Sequence, residues 1–194
     1  QCRAVITGAS SGLGAEFARQ LAPGAEVLVL VARRAEALEK VKMELAGTRT
    51  KVVCCVSDLA TEAGRRAVLT FLAENGVRPN LLINNAGMGD YGCFADSPAE
   101  KTRGLIELNI TALTMLTHEM LPLMERPGGI INVSSLASTL PMPELAVYAA
   151  SKAYVTSFSE ALAIELAPKG ITVSCVCPGP TPTNFSQTAR RADG

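Results

Sequence analysis

Six short apolar runs rich in valine and isoleucine recur along the chain, separated by stretches with helical periodicity. The runs are Ala4 to Thr7, Val27 to Ala32, Lys51 to Val56, Leu81 to Asn84, Ile130 to Ser134 and Ile171 to Val176. Between them lie Leu13 to Leu21, Ala35 to Leu45, Glu62 to Leu72, a long stretch from Pro98 to Met124, and Val147 to Leu166. Unbroken apolar runs mark strands buried on both faces, whereas apolar residues recurring every three to four positions make one face of a helix. Alternation of the two leads to a parallel sheet with right-handed crossover helices on both faces, the doubly wound, Rossmann-like α/β architecture. Ser97-Pro98-Ala99-Glu100 gives the long helix its start, with Ser97 as N-cap and Glu100 closing a capping box.

Length and charge narrow the class. The chain has 194 residues, 48% of them hydrophobic, enough for one domain spanning residues 1–194 with a sizeable core. Eighteen basic and eighteen acidic side chains cancel, so no electrostatic footprint for a phosphate backbone or an anionic membrane is expected. The longest apolar run is the six residues from Val27 to Ala32, far short of the roughly 20 that span a bilayer. Six cysteines in a chain of this length are too dilute for a disulfide scaffold, and none has zinc-ribbon spacing. With His118 as the single histidine, no metal site is expected. Gln1-Cys2-Arg3 leads directly into an apolar strand and carries no mark of a targeting segment, so a cytoplasmic location is the expectation.

In a doubly wound sheet, ligands sit beyond the carboxyl ends of the strands. After the first run comes Thr7-Gly8-Ala9-Ser10-Ser11-Gly12-Leu13-Gly14, opening a helix. Glycine allows a sharp turn and close approach to a pyrophosphate, and the free amides of a new helix attract negative charge. A glycine-rich turn without a ligand is the alternative. Arg33 and Arg34 end the second strand, where an acidic residue would select the ribose hydroxyls of NAD. Guanidinium instead suits the 2′-phosphate of NADP, unless the pair is only a solvated helix start. Ser57-Asp58-Leu59 ends the third strand, with Asp58 either accepting from an adenine amino group or capping a helix. Asn84-Asn85-Ala86-Gly87 suits holding one backbone segment against another or against a ribose.

Tyr148 and Lys152 stand four residues apart, on one helix face, and Ser135 ends the fifth strand. A neighbouring ammonium lowers the pKa of a phenol, which makes tyrosine a usable acid and base. Ser135 is placed to donate to the oxygen of a reacting carbonyl. An isolated pair with this spacing is more often just one face of a surface helix.

In this order and at these strand ends the motifs closely resemble the single-domain branch of the short-chain dehydrogenase/reductase family, from Ala4 to Phe185. The glycine motif matches Thr7 to Gly14, the Asn-Asn-Ala-Gly motif matches Asn84 to Gly87, and the catalytic Ser, Tyr and Lys fall on Ser135, Tyr148 and Lys152. The resemblance implies a fourth catalytic member, Asn109, holding the water that connects Lys152 to solvent. It also implies a nicotinamide-facing loop in Pro178-Gly179-Pro180-Thr181-Pro182-Thr183, with Thr183 at the carboxamide. Met88, Tyr91, Cys93 and Phe94 are candidates for the substrate mouth, or else local packing.

The expected protein is therefore an NADP-dependent oxidoreductase, NAD being the weaker cofactor expectation, that interconverts a small carbonyl compound and an alcohol. A non-catalytic dinucleotide sensor and epimerase or dehydratase chemistry are the alternatives. A homo-oligomer, dimer or tetramer, is expected because the long helix carries two apolar stripes. Leu105, Leu108, Ala112, Leu116 and Met120 form one, and Ile106, Ile110, Leu113, Leu121 and Met124 form much of the other. The natural polypeptide is expected to continue past Gly194 with a substrate-covering segment and a seventh strand.

Overall fold

The computed structural model describes residues 2–181 together with Ala189. All six apolar runs are strands: β1 (Cys2–Thr7), β2 (Ala25–Ala32), β3 (Lys51–Val56), β4 (Leu81–Asn84), β5 (Gly128–Val133) and β6 (Ile171–Val176). They form one sheet in the order β3-β2-β1-β4-β5-β6, and every neighbouring pair is parallel. The winding reverses between β1 and β4, which opens a crevice beyond the strand ends at that point.

The helices are α1 (Gly12–Leu21), α2 (Ala35–Glu44), α3 (Glu62–Glu74), α4 (Ala99–Ile106), α5 (Leu113–Met120) and α6 (Ala146–Leu166). Period-two alternation splits the strand side chains between two cores. Ala4, Ile6, Leu28, Leu30 and Ile83 meet Ala15 and Ala18 of α1 and Leu38 and Val41 of α2. Val5, Val29, Val31, Leu82 and Ile130 meet Val68 and Leu72 of α3, Leu116 and Met120 of α5, and Leu162 and Leu166 of α6. Each fully buried leucine or isoleucine adds about 1.5–3 kcal/mol, so both helical layers are firmly held against the sheet. No helix among the described residues is long and apolar enough to cross a membrane. All six cysteines are free thiols, and no cluster among the described residues could hold a metal ion.

The long helix departs from expectation in three ways. Ser97 does not cap it: Pro98 holds the cap position without a side-chain bond. The Ser97 hydroxyl donates instead to Asp90 Oδ2 at 2.6 Å. A carboxylate only 7% exposed is a stronger acceptor, and one in greater need of donors, than a helix amide is a donor. Between α4 and α5, residues Glu107–Ala112 widen into a π turn. The helix also ends at Met120 rather than Met124, because Pro122 has no N–H to donate and its ring clashes with the preceding turn.

The two stripes are also covered differently. Leu105, Ala112, Leu116 and Met120 are buried, but so are Leu113 and Met124 of the second stripe. Ile110 and Leu121 are half-buried, and Ile106 alone of that stripe is well exposed. Helix α6 of the same chain lies against this side, with Thr114 Oγ1 2.9 Å from the Tyr154 hydroxyl. Part of the second stripe is thus covered within the chain itself.

Candidate active site

Glycines bring the β1–α1 turn and the β4 loop together. Gly8 has φ +64°, and a Cβ there would lie 2.8 Å from Asn85 Nδ2 and 2.9 Å from Ala86 Cα. A Cβ on Gly14 would lie 2.3 Å from the Gly8 carbonyl oxygen, so neither position takes a side chain. Thr7 then clamps the two segments. Its hydroxyl donates to the Ile83 carbonyl at 3.2 Å and accepts from the amides of Asn85 and Ala86, each at 3.0 Å. Asn85 returns a side-chain bond to the Thr7 carbonyl at 2.9 Å. Of the two uses weighed for the amide-rich motif, holding backbone against backbone is the one its side chains show.

A cleft of about 1620 Å³ runs over these loops, lined by Ser10, Ser11, Gly12 and Leu13 along the glycine turn and by Arg33 and Arg34 at one end. Ser11 caps α1 without a side-chain bond, which leaves the first-turn amides available to an anion. Asn85, Ala86 and Gly87 line the middle, and Ser135, Tyr148, Lys152, Pro178, Gly179 and Thr181 line the other end. Gly14 does not line the cleft; it lets the turn close.

Ser135 follows β5 and caps a single helical turn, accepting from Ala137 N at 3.1 Å. Tyr148, in the first turn of α6, is 9% exposed and is hydrogen-bonded to the Ser135 side chain. Burial pushes the phenol above its ordinary pKa, and the Ser135 bond pulls the other way. Lys152, one turn on, is 5% exposed; its amine donates to the Val133 carbonyl at 2.9 Å and lies 5.9 Å from the Tyr148 ring centre. Burial lowers its pKa to about 8, with Cys175 and Cys177 acting in the opposite direction. Tyr148 and Lys152 do share a face, but the expected lowering of the phenol by the amine is not the governing effect. Desolvation wins, because the amine is itself buried and turned toward Val133.

Asn109 lies within the π turn and is 1% exposed. Its Nδ2 donates to the Met88 carbonyl at 2.9 Å and to Ser151 Oγ at 3.0 Å, and its Oδ1 accepts from Met88 N at 2.9 Å. A Cβ on Gly87 would lie 3.3 Å from Asn109 Oδ1 and 3.4 Å from Lys152 Nζ. Glycine at 87 therefore lets Asn109 and Lys152 flank the same backbone. Ser10, Ser11, Gly12 and Leu13 line the cleft where the first-turn amides of α1 have no side-chain cap, and these residues fit the pyrophosphate of a nicotinamide dinucleotide.

The short chain dehydrogenase family model matches residues 3–194. The chain belongs to the short-chain dehydrogenase/reductase family. It is 35% identical to dehydrogenase/reductase SDR family member 7B of Bos taurus, covering 98% of this chain and 61% of that protein, so it spans less than two thirds of that relative. Among solved structures, a short-chain dehydrogenase from Sphingobium yanoikuyae in complex with NADPH superposes with TM-score 0.90 at 37% identity, covering 97% of this chain and 75% of that one. A 3-ketoacyl-(acyl-carrier-protein) reductase from Brucella melitensis complexed with NADH superposes with TM-score 0.86 at 31% identity, covering 96% and 79%. These solved relatives thus hold a nicotinamide dinucleotide in either form.

The remaining expected site residues fall as follows. Arg34 caps α2, and its Nη2 lies 3.4 Å from the hydroxyls of both Ser10 and Ser11, so it begins a helix and also overhangs the glycine turn. Asp58 lines the cleft but does not cap α3, which Thr61 does; its Oδ1 accepts from Ala60 N at 3.1 Å in a local turn. Leu59 is buried beside it. The Pro178 carbonyl accepts from Leu136 N at 3.0 Å, which ties the loop after β6 to the turn after Ser135. Thr183 lies outside the described residues. Of the four mouth candidates Met88 lines the cleft, whereas Tyr91 and Phe94 are 48% and 62% exposed and, like Cys93, do not line it.

Sequence reading missed the wall formed by Leu136, Leu140 and Met142. The signal was three large apolar residues, Leu136, Leu140 and Met142, in the short segment after Ser135, with Pro141 and Pro143 flanking the last. It also missed the supporting serines: Ser134 Oγ donates to the Lys152 carbonyl at 2.8 Å, and Ser151 holds Asn109.

Proposed function

We propose that this short-chain dehydrogenase/reductase interconverts a carbonyl compound and an alcohol by hydride transfer, with Tyr148 as general acid and base and NADP preferred. The observation that carries the reading is the hydrogen-bonded Ser135–Tyr148 pair beside buried Lys152, at one end of a cleft whose other end holds Arg33 and Arg34. The reductase name of the Brucella melitensis relative supports carbonyl reduction.

When bound, the nicotinamide supplies or accepts the hydride. Ser135 orients the carbonyl oxygen, and Tyr148 gives it a proton during reduction and takes one back during oxidation. Lys152 lies where it can hold the nicotinamide ribose while staying near the phenol. Asn109 keeps the Met88 and Ser151 segments in place, with relay of protons from Lys152 toward solvent as its further role. Gly8, Ser10, Ser11, Gly12, Leu13, Asp58, Leu59, Asn85, Ala86, Gly87, Pro178, Gly179, Thr181 and Thr183 complete the cofactor site, with Gly14 letting the glycine turn close, and Arg33 and Arg34 take the 2′-phosphate.

The free thiols support a reducing, cytoplasmic setting. Ile106, Met115, Tyr154 and Ile164, exposed on the α4, α5 and α6 helices, support assembly into a dimer or tetramer. The function is tested by following NADPH consumption with carbonyl substrates in the parent and in Tyr148→Phe. The variant should bind cofactor and lose turnover; undiminished turnover would refute the assignment.

A further inference from the structure

Beyond Ser135 and Tyr148 the cleft changes character. Its wall there is Leu136, Leu140, Met142 and Leu145, with Met88 also lining the cleft, and Leu136, Leu140 and Met142 are 55%, 69% and 36% exposed. The cations lining the cleft among the described residues are Arg33, Arg34 and Lys152. The arginines stand at the end of β2, at the far end of the cleft, and Lys152 is buried with its amine bonded to Val133. The one acid lining it among the described residues, Asp58, lies at the end of β3. Among the described residues, the substrate end therefore offers apolar surface and no partner for a charge.

An ionised group placed there would leave water without compensation, a heavy penalty, whereas an alkyl or aryl group gains from burial in proportion to its apolar area. The wall is also braced. Leu136 N donates to the Pro178 carbonyl at 3.0 Å, and a Cβ on Gly179 would lie 3.3 Å from Leu136 Cδ1. Pro141 and Pro143 limit the backbone freedom on either side of Met142. Such a surface can discriminate by shape because little of it must be ordered on binding.

We propose that the substrate is a neutral carbonyl compound with bulky apolar substituents, and that Leu136, Leu140 and Met142 set this specificity. The inference rests on the reading of the cleft as a carbonyl-reducing site. It is tested by steady-state NADPH consumption by the full chain with two matched series, alkyl ketones of increasing length and the same ketones ending in a carboxylate. In the neutral series kcat/KM should climb about fourfold per added methylene until the wall is covered, and the terminal carboxylate should lower it at least about a hundredfold. Leu140→Asp should raise KM for the longer neutral ketones by about tenfold or more with little change in kcat, and Leu140→Met should restore the parent value.

A preference for the carboxylate series, or a flat response to chain length, overturns the inference while leaving the oxidoreductase reading intact. So does a Leu140→Asp variant with lowered thermal stability and unchanged KM, since the wall would then be covering the chain itself. Turnover of neither series overturns the oxidoreductase reading, and the inference with it.

Discussion

Tyr148 is held by two opposing influences, burial that raises its pKa and the Ser135 hydrogen bond that lowers it. Alcohol oxidation needs the deprotonated phenol, so its rate should rise with pH. Ser135→Ala removes the lowering influence and should shift that rise to higher pH, besides reducing kcat by about 10²–10³; kcat/KM profiles against pH for the two proteins check this, and an unmoved profile would contradict it. Lys152 gives a stability prediction of definite sign. Its folded pKa is about 8 against an ordinary 10.5, so between those values the unfolded chain keeps a proton that the folded chain has shed. Stability contributed at this position therefore rises as pH climbs through that window. Lys152→Met should accordingly stabilise the cofactor-free chain near neutrality by about 1–3 kcal/mol, with the gain shrinking in more alkaline solution. Urea unfolding at the two conditions measures it, and a destabilised variant near neutrality would contradict the buried-amine picture.

At the scale of elements, the strands and most helices were legible because apolar periodicity is written directly in the residues. Lys51–Val56, Leu81–Asn84 and Ile171–Val176 have the bounds read from sequence. The helix beginning at Ala99 was not fully legible. Periodicity cannot reveal the π turn over Glu107–Ala112, because that turn answers to Asn109's bonds with Met88 and Ser151, residues distant in sequence. Ser97 had the right neighbours for a cap, and its engagement with Asp90 is a tertiary fact. For the site, motif positions were readable, but the phenol's pKa direction was not, since burial is a property of the fold. The Asp90 cluster carries its own prediction. Lys101 Nζ lies 2.9 Å from Asp90 Oδ1 and 3.3 Å from the Ala189 carbonyl, clasping the start of α4 to that residue. Lys101→Met removes this ion pair from a largely buried carboxylate and should cost about 2 kcal/mol, or about 4–8 °C of Tm for a domain of this size. Adding Asp90→Asn should recover part of the loss, and a thermal melt showing no loss in the single variant would contradict the clasp.

At the scale of the whole molecule, the cleft joins an end lined by Arg33 and Arg34 to an end lined by Ser135, Tyr148 and Lys152, and the role proposed for each end has a separable readout. Arg33→Asp should abolish a preference for NADPH over NADH of about tenfold or more, the value of one charge-assisted hydrogen bond to the 2′-phosphate. Equal affinity of the parent for both cofactors, measured by titration, would contradict the assignment of the arginines. The central claim, that this fold positions Tyr148 to move a proton while hydride is transferred, is tested most directly at the other end. The measurement is single-turnover NADPH oxidation with a ketone substrate, alongside NADPH affinity, in the parent and in Tyr148→Phe. The account predicts unchanged affinity and a rate lower by about 10²–10⁴; a Tyr148→Phe protein that oxidises NADPH at the parent rate would contradict it.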